Sequence, residues 1–221
     1  MCGRFTLTTD RDDLIETFQL SFFPDEYDVS YNIAPTQPIL AAVQGRDGRR
    51  AGFLSWGLVP FWVKDRKRWK PLINARSETI SEKRSFRHLL LRRRCVIFAD
   101  SFYEWKNEGK KKIPHRIMMK DGRPFAFAGL WDRNENSDGK LTTCTILTTK
   151  ANETMQTIHE RMPVILYELD QIDTWLNVEK YSFDEAKTVI GQLPDERTKL
   201  YEVSTIVNSP KNNRKECILP V

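Results

Sequence analysis

The stretch from residue 95 to residue 150 limits what this chain can fold into more than any other. CVIFADSFYEWK, IPHRIMMK, RPFAFAGLWDR and KLTTCTILTTK follow one another as apolar or alternating runs, parted by turn sequences such as KDGR and NENSDGK. Alternation puts successive side chains on opposite faces of a strand, and glycine beside asparagine or aspartate supplies the positive φ of a tight turn. The pattern predicts consecutive antiparallel strands that curve into a sheet or barrel, with the CVIFADSFYEWK run as one strand. YNIAPTQPILAAVQ and RAGFLSWGLVP add a hairpin across GRDG, and YEVSTIV reads as a last strand. Helices are expected at DRDDLIETFQL, capped by Thr9, at NETMQTIHERM, DQIDTWLN and FDEAKTVIG, and across SEKRSFRHLLLRRR, where Phe86, Leu89 and Leu90 form an apolar stripe. No repeat or linker interrupts the 221 residues. The expectation is therefore one α+β domain over residues 1–207, followed by a mobile polar tail at 208–221.

The four cysteines, at positions 2, 95, 144 and 217, form no CxxC pair and have no histidine at zinc spacing, which argues against a structural metal. Cys95 and Cys144 lie in apolar strands as ordinary buried thiols, and a reducing compartment follows. MCGRFTLTT has no apolar stretch behind a basic head, no run approaches a membrane span, and position 2 is not the glycine of a myristoylation signal. A cytoplasmic protein is expected. A net charge of +5 permits an anionic partner without demanding one. FWVKDRKRWKP interleaves Phe61, Trp62 and Trp69 with lysines and arginines, a composition suited either to single-stranded nucleic acid or to a solvated loop anchored by its aromatic residues.

Removal of Met1 would make Cys2 an amino terminus with two nucleophiles on adjacent carbons. A free α-amino group titrates at roughly 7.7–8.0 and a free thiol at about 8.5, so either is reactive near neutral pH beside a suitable base. With an aldehyde the amine gives an imine, and the thiolate then closes a five-membered thiazolidine. Gly3 lets a ligand approach the backbone, and Arg4 offers a fork for phosphate or carboxylate.

Polar clusters interrupt the apolar pattern at Asn32–Gln37 (NIAPTQ), Asn74–Thr79 (NARSET), Tyr103–Trp105 (YEW) and His159–Pro163 (HERMP). With MCGRF, these motifs resemble the SRAP family, the SOS-response-associated peptidases understood as abasic-site processing proteins, from Cys2 to about Val207. The resemblance implies an SRAP-like open antiparallel β-barrel flanked by helices, with Cys2 on the floor of a basic groove. It also implies lyase-like crosslinking to abasic sites in single-stranded DNA, by a monomer that needs no metal or other cofactor and is nucleoid-associated when bound. By the same resemblance Cys2 is the nucleophile, Glu104 the catalytic carboxylate, His159 the residue assisting sugar opening, and Asn74 the one orienting the lesion. Arg76 and Arg161 match phosphate contacts, Asn32 lines the N-terminal cysteine, and Gly3 and Arg4 belong to the DNA-binding set. The residue types fit that chemistry unaided, since a carboxyl group can carry the protons of imine formation and histidine can serve the sugar's ring oxygen. Each has a structural alternative: Glu104 a cap or ion pair, His159 a helix-end hydrogen bond, Arg76 and Arg161 ion pairs. Rival functions are an N-terminal-nucleophile peptidase and a non-catalytic single-strand binder.

Overall fold

The computed structural model describes residues 2–221, and the alternating runs become strands in it. In chain order come β1 (Phe5–Leu7), α1 (Arg11–Phe18), β2 (Leu20–Phe22), β3 (Ser30–Ile33), β4 (Pro38–Gly45), β5 (Gly48–Trp56) and β6 (Asn74–Arg76). Then follow β7 (Arg94–Ala99), β8 (Ser101–Glu108), β9 (Lys111–Met119), β10 (Phe125–Asn136), β11 (Gly139–Lys150) and the single turn α2 (Glu153–Gln156). The remainder is β12 (Arg161–Pro163), β13 (Ile165–Leu166), α3 (Leu169–Leu176), α4 (Phe183–Ala186) and β14 (Thr198–Glu202). One sheet has the order β14-β9-β8-β1-β3 and is antiparallel throughout. The other runs β12-β11-β10-β7-β4-β5-β2, with β6 and β13 joined at its margins.

This second sheet closes on itself. Ser55 and Trp56 at the end of β5 pair in parallel with Thr143 and Cys144 of β11, which makes a barrel of β11, β10, β7, β4 and β5. The curved barrel with flanking helices is present, but it is closed by a parallel seam, so the pairing is mixed and not wholly antiparallel. Inside it, Phe5 stands edge-on to Trp56 at 5.1 Å and to Phe127 at 5.6 Å, all three rings fully buried. Burying a phenylalanine stabilises by roughly 1.5–3 kcal/mol. The N-terminal strand is thus tied to the barrel interior three residues from Cys2. In the β7–β10 ladder, glycine at position 129 leaves room for the Ile97 side chain: a Cβ there would lie 2.3 Å from Ile97 Cδ1.

Several local expectations differ. CVIFADSFYEWK is two strands that break at Asp100, where the chain leaves the barrel for the other sheet. Asp100 is buried and accepts hydrogen bonds from Thr6 Oγ1, from the Thr8 backbone N–H and Oγ1, and from Thr9 N and Oγ1. Thr9 is therefore engaged there, and Asp10 caps α1 by accepting from Asp13 N at 3.0 Å. Residues 81–93 form successive turns and not a helix; Leu89 N donates to Phe86 O at 2.8 Å and Arg93 N to Leu89 O at 2.7 Å, which suffices to bury Phe86, Leu89 and Leu90. NETMQTIHERM is helical only at α2, because HERMP turns into β12. FDEAKTVIG is likewise helical only at α4 and continues as a 3-10 turn at Lys187–Val189. Of YEVSTIV, only Tyr201 and Glu202 are strand; Thr205–Asn208 is a 3-10 turn.

The segment expected as a mobile tail is packed. Asn32 Nδ2 donates to the carbonyls of Val207, Ser209 and Asn212 at 2.8–3.2 Å, and Cys217 is fully buried with Tyr103, Val203 and Val207. A buried amide needs acceptors, and this segment provides them. Among the described residues no helix is long and apolar enough to cross a membrane.

The Asp100 arrangement gives a direct expectation. Asp100→Ala removes a buried carboxylate from five donors and leaves Arg116, at 3.8 Å, without its charge partner. Unfolding free energy, followed by urea denaturation, should fall by about 3–5 kcal/mol. A loss no larger than a surface substitution would show that the threonines find other acceptors.

Candidate active site

The pairing of β1 with β8 sets the geometry. Phe5 lies opposite Phe102 and Thr6 opposite Ser101, and Tyr103 N donates to Arg4 O at 2.9 Å, which carries the ladder past the end of β1. The ladder thereby leads Cys2 toward Glu104, whose charge is felt at the Cys2 thiol. Both side chains are buried, with 0% of Cys2 and 5% of Glu104 exposed. Burial first, and then the charge of Glu104, push the Cys2 thiol well above the usual thiol range, while the hydrogen bond from Sγ to Arg4 O at 3.8 Å works the other way. From the barrel side, Asn74 on β6 donates through Nδ2 to Cys2 O at 2.8 Å. Asn74 is placed by the parallel pairing of β6 with β11, where it lies opposite Ile146. The Met1 expectation lies outside the described residues.

His159 follows α2, its backbone N donating to Met155 O at 2.8 Å. Its Nδ1 accepts from the backbone N–H of Arg161 at 3.0 Å, which leaves the ring proton of the neutral tautomer on Nε2. Glu104 and His159 share a cleft of about 500 Å³ with Trp105, Asn107, Lys112 and Asn208. On the other side of the His159–Arg161 turn lies a cleft of about 550 Å³ lined by Arg76, Lys150, Gln156, Glu160 and Arg161.

The arginines divide into two kinds. Arg76 is exposed and lines the second cleft. Arg161 is buried and gives its fork to both oxygens of Glu78, at 2.7 and 3.0 Å, and to Thr148 O at 2.8 Å. Arg4 donates to Asn32 Oδ1 at 2.8 Å and to Val207 O at 2.6 Å, and lies over Trp105 with 5.8 Å to the ring centroid. Arg4 and Arg161 therefore hold the walls of the site, with Gly3 half-buried between Cys2 and Arg4. The NIAPTQ motif turns sharply at Thr36, whose φ of 73° is unusual for a β-branched residue and is held by its N–H on Trp56 O at 2.7 Å.

The aromatic and basic stretch is anchored through its rings. Trp62 and Trp69 meet edge to face at 5.2 Å, Arg84 covers Trp62 at 4.8 Å, and Asn134 Nδ2 donates to the carbonyls of Pro60 and Val63. Lys64, Lys67, Arg68, Lys70 and Phe61 stay exposed. Residues that motif reading missed are Glu78, which holds Arg161, and Asn107, Lys112 and Asn208 in the cleft. Glu78 stood inside NARSET, so its acid two residues from Arg76 was a usable signal; nothing in the sequence pointed to the other three.

The sequence over residues 1–210 matches the family described as SOS response associated peptidase (SRAP). It is 49% identical over 222 residues to the abasic site processing protein YoqW of Bacillus subtilis (strain 168), covering 99% of each chain. It is 32% identical over 234 residues to the abasic site processing protein YedK of Escherichia coli (strain K12), covering 100% of each. A solved structure from Bacteroides thetaiotaomicron matches with a TM-score of 0.85 at 26% identity, over 100% of both chains.

The Glu78–Arg161 pair fixes a pH dependence. The Arg161 hydrogen bonds hold the Glu78 carboxyl below the usual carboxylate range. A depressed folded value stabilises above the unfolded value of about 4.3 and ceases to do so as pH falls through the folded one. Because Glu78 is 41% exposed, solvent screening keeps the effect small. Glu78→Gln should cost on the order of 1 kcal/mol at pH 7 and much less at pH 3, by urea denaturation at both. An equal cost at both would mean that the charge is immaterial.

Proposed function

The chain belongs to the SRAP family, and we propose that it processes abasic sites in single-stranded DNA by closing a thiazolidine between the aminothiol of Cys2 and C1′ of the ring-opened deoxyribose. The observation that supports this most is the convergence on Cys2: Asn74 holds its carbonyl, the Glu104 charge acts on its thiol, and Glu104 and His159 share the adjoining cleft.

The steps use this chain's own groups once Met1 has been removed. As the bond from C1′ to the sugar ring oxygen breaks, the Nε2–H of His159 protonates that oxygen, the anomeric hydroxyl becomes the aldehyde carbonyl, and the proton it loses returns to the imidazole through solvent. The Cys2 amine attacks C1′, and the aldehyde oxygen leaves as water with protons carried by Glu104, giving an imine. The buried thiol is held as S–H, so sulfur adds to C1′ as its proton passes to Glu104 and from there to the nitrogen. One C–S bond forms, the C=N bond becomes C–N, and the proton lost by sulfur ends on nitrogen. Asn74, by fixing the Cys2 carbonyl, limits the rotations of the nucleophile. Arg76 supplies the phosphate contact, and Arg4, Asn32 and Arg161 hold the groove that receives the strand.

A denaturing gel with an abasic single-stranded oligonucleotide tests the assignment. Cys2→Ser should give no heat-stable adduct while still binding the strand, whereas Cys95→Ser and Cys144→Ser should crosslink. A wild-type yield from Cys2→Ser would rule out the thiazolidine, and turnover of an added peptide without adduct would favour a hydrolase.

Arg76 and Arg161 should separate in binding. Arg76→Ala is expected to flatten the log–log salt dependence of strand affinity by about 0.7, the contribution of one single-strand phosphate contact. Arg161→Ala should lower thermal stability instead. An unchanged slope for Arg76→Ala would make it a structural residue.

A further inference from the structure

The cleft lined by Glu104 and His159 has an outer part that the crosslinking chemistry does not use. Beyond Glu104 and His159 its walls are Trp105 and Asn107 of β8, Lys112 of β9, and Asn208 from the far end of the chain. Asn208 is fixed at two points. Its backbone carbonyl accepts from Arg4 at 3.5 Å, and its Oδ1 accepts from the Trp105 indole Nε1 at 2.7 Å. An indole N–H can only donate, so the chemistry settles the orientation of the amide: Oδ1 faces the tryptophan, and the other end is the Nδ2 donor with two hydrogens. Lys112 is exposed on the same cleft and likewise only donates. The indole is steadied from behind by Arg4, itself locked by Asn32 and Val207. The outer cleft thus sets a fixed aromatic ring beside the Asn208 and Lys112 donors, with the Asn107 amide also on its wall and the Glu104 carboxylate at its inner end. A base with two adjacent acceptors fits it, and one with an acceptor beside an amino donor fits less well.

We propose that Asn208 is a specificity-determining residue: the outer cleft takes the base next to the abasic residue, and Asn208 with Lys112 reads its acceptors, favouring guanine over adenine. Guanine offers O6 and N7 side by side as acceptors, whereas adenine sets its N6 amino group beside N7. The assignment rests on the crosslinking reading above.

The test is single-turnover crosslinking, at subsaturating strand, of abasic oligonucleotides carrying each of the four bases on the 5′ or the 3′ side of the lesion. On one side, guanine should exceed adenine by about fivefold, the low end for a paired contact, because the cleft is open to water. In Asn208→Ala the ratio should fall to within about twofold, and 7-deazaguanine should react with the wild type nearly as adenine does. Asn208→Asp, with an acceptor in place of Nδ2, should reverse the order. Equal rates for all four bases on both sides would overturn the proposal. So would an Asn208→Ala variant slowed alike on every base, since that is the signature of a residue that merely supports Trp105. Absence of adduct from any strand would sink the crosslinking reading instead; the same base series, read as affinity for strands carrying an unreactive abasic analogue, then decides the base preference separately.

Discussion

The buried carboxylate of Asp100 sits where the chain passes from the barrel to the second sheet, and the placement of the site depends on it. By accepting from Thr6, Thr8 and Thr9 it fastens β1 to the corner between β7 and β8. Ser101, next in sequence, accepts from Arg116 Nε at 2.7 Å, and Arg116 donates to the Tyr201 hydroxyl at 2.8 Å. Tyr201 in turn donates to Ile218 O at 2.8 Å. One polar chain therefore runs from the N-terminal strand to the last turn of the protein. Each hydrogen bond contributes only about 0.5–1.5 kcal/mol net, or somewhat more where a charge takes part, but leaving any of these buried groups unpaired costs more than that. The β1–β8 ladder that carries the N-terminal segment toward Glu104 starts from this corner.

Most of the barrel was legible, because the apolar runs that become β7, β10 and β11, buried on both faces over much of their length, are parted by turn sequences. What such runs do not report is which strands meet at the seam. The parallel pairing of Ser55–Trp56 with Thr143–Cys144 joins segments about ninety residues apart, and no local pattern encodes it. The break at Asp100 was hidden for a related reason: an aspartate in an apolar run looks like a surface residue until Thr6, Thr8 and Thr9 are folded over it. Phe86, Leu89 and Leu90 misled through helical spacing, which successive turns satisfy equally well. Of the residues named from motifs, Asn74 lies against Cys2, and Glu104 shares a cleft with His159. The outer cleft was not legible, since Asn107, Lys112 and Asn208 carry no signature until β8, β9 and the terminal segment are side by side.

The arginines show why charge alone is a poor guide to a binding surface. Arg4, Arg49, Arg94 and Arg161 direct their forks at carbonyls or carboxylates inside the molecule, and Arg116 donates to the hydroxyls of Ser101 and Tyr201. A planar fork with five donors suits a fold whose turns leave many carbonyls to satisfy. Part of the basic character of the sequence is therefore architectural. Another part lines the clefts through exposed side chains such as Arg76, Lys112 and Lys150.

The grip of Arg4 on Val207 spans 203 positions of sequence. Cys2 leaves the ribosome well before Asn74, Glu104, His159 and Asn208, which arrive one after another. On the proposed chemistry, the nucleophile has no acid–base partner and no wall against which to hold a strand through that interval. A nascent chain of that kind therefore carries the aminothiol without the means to use it, and competence to crosslink begins only as Arg4 reaches Val207.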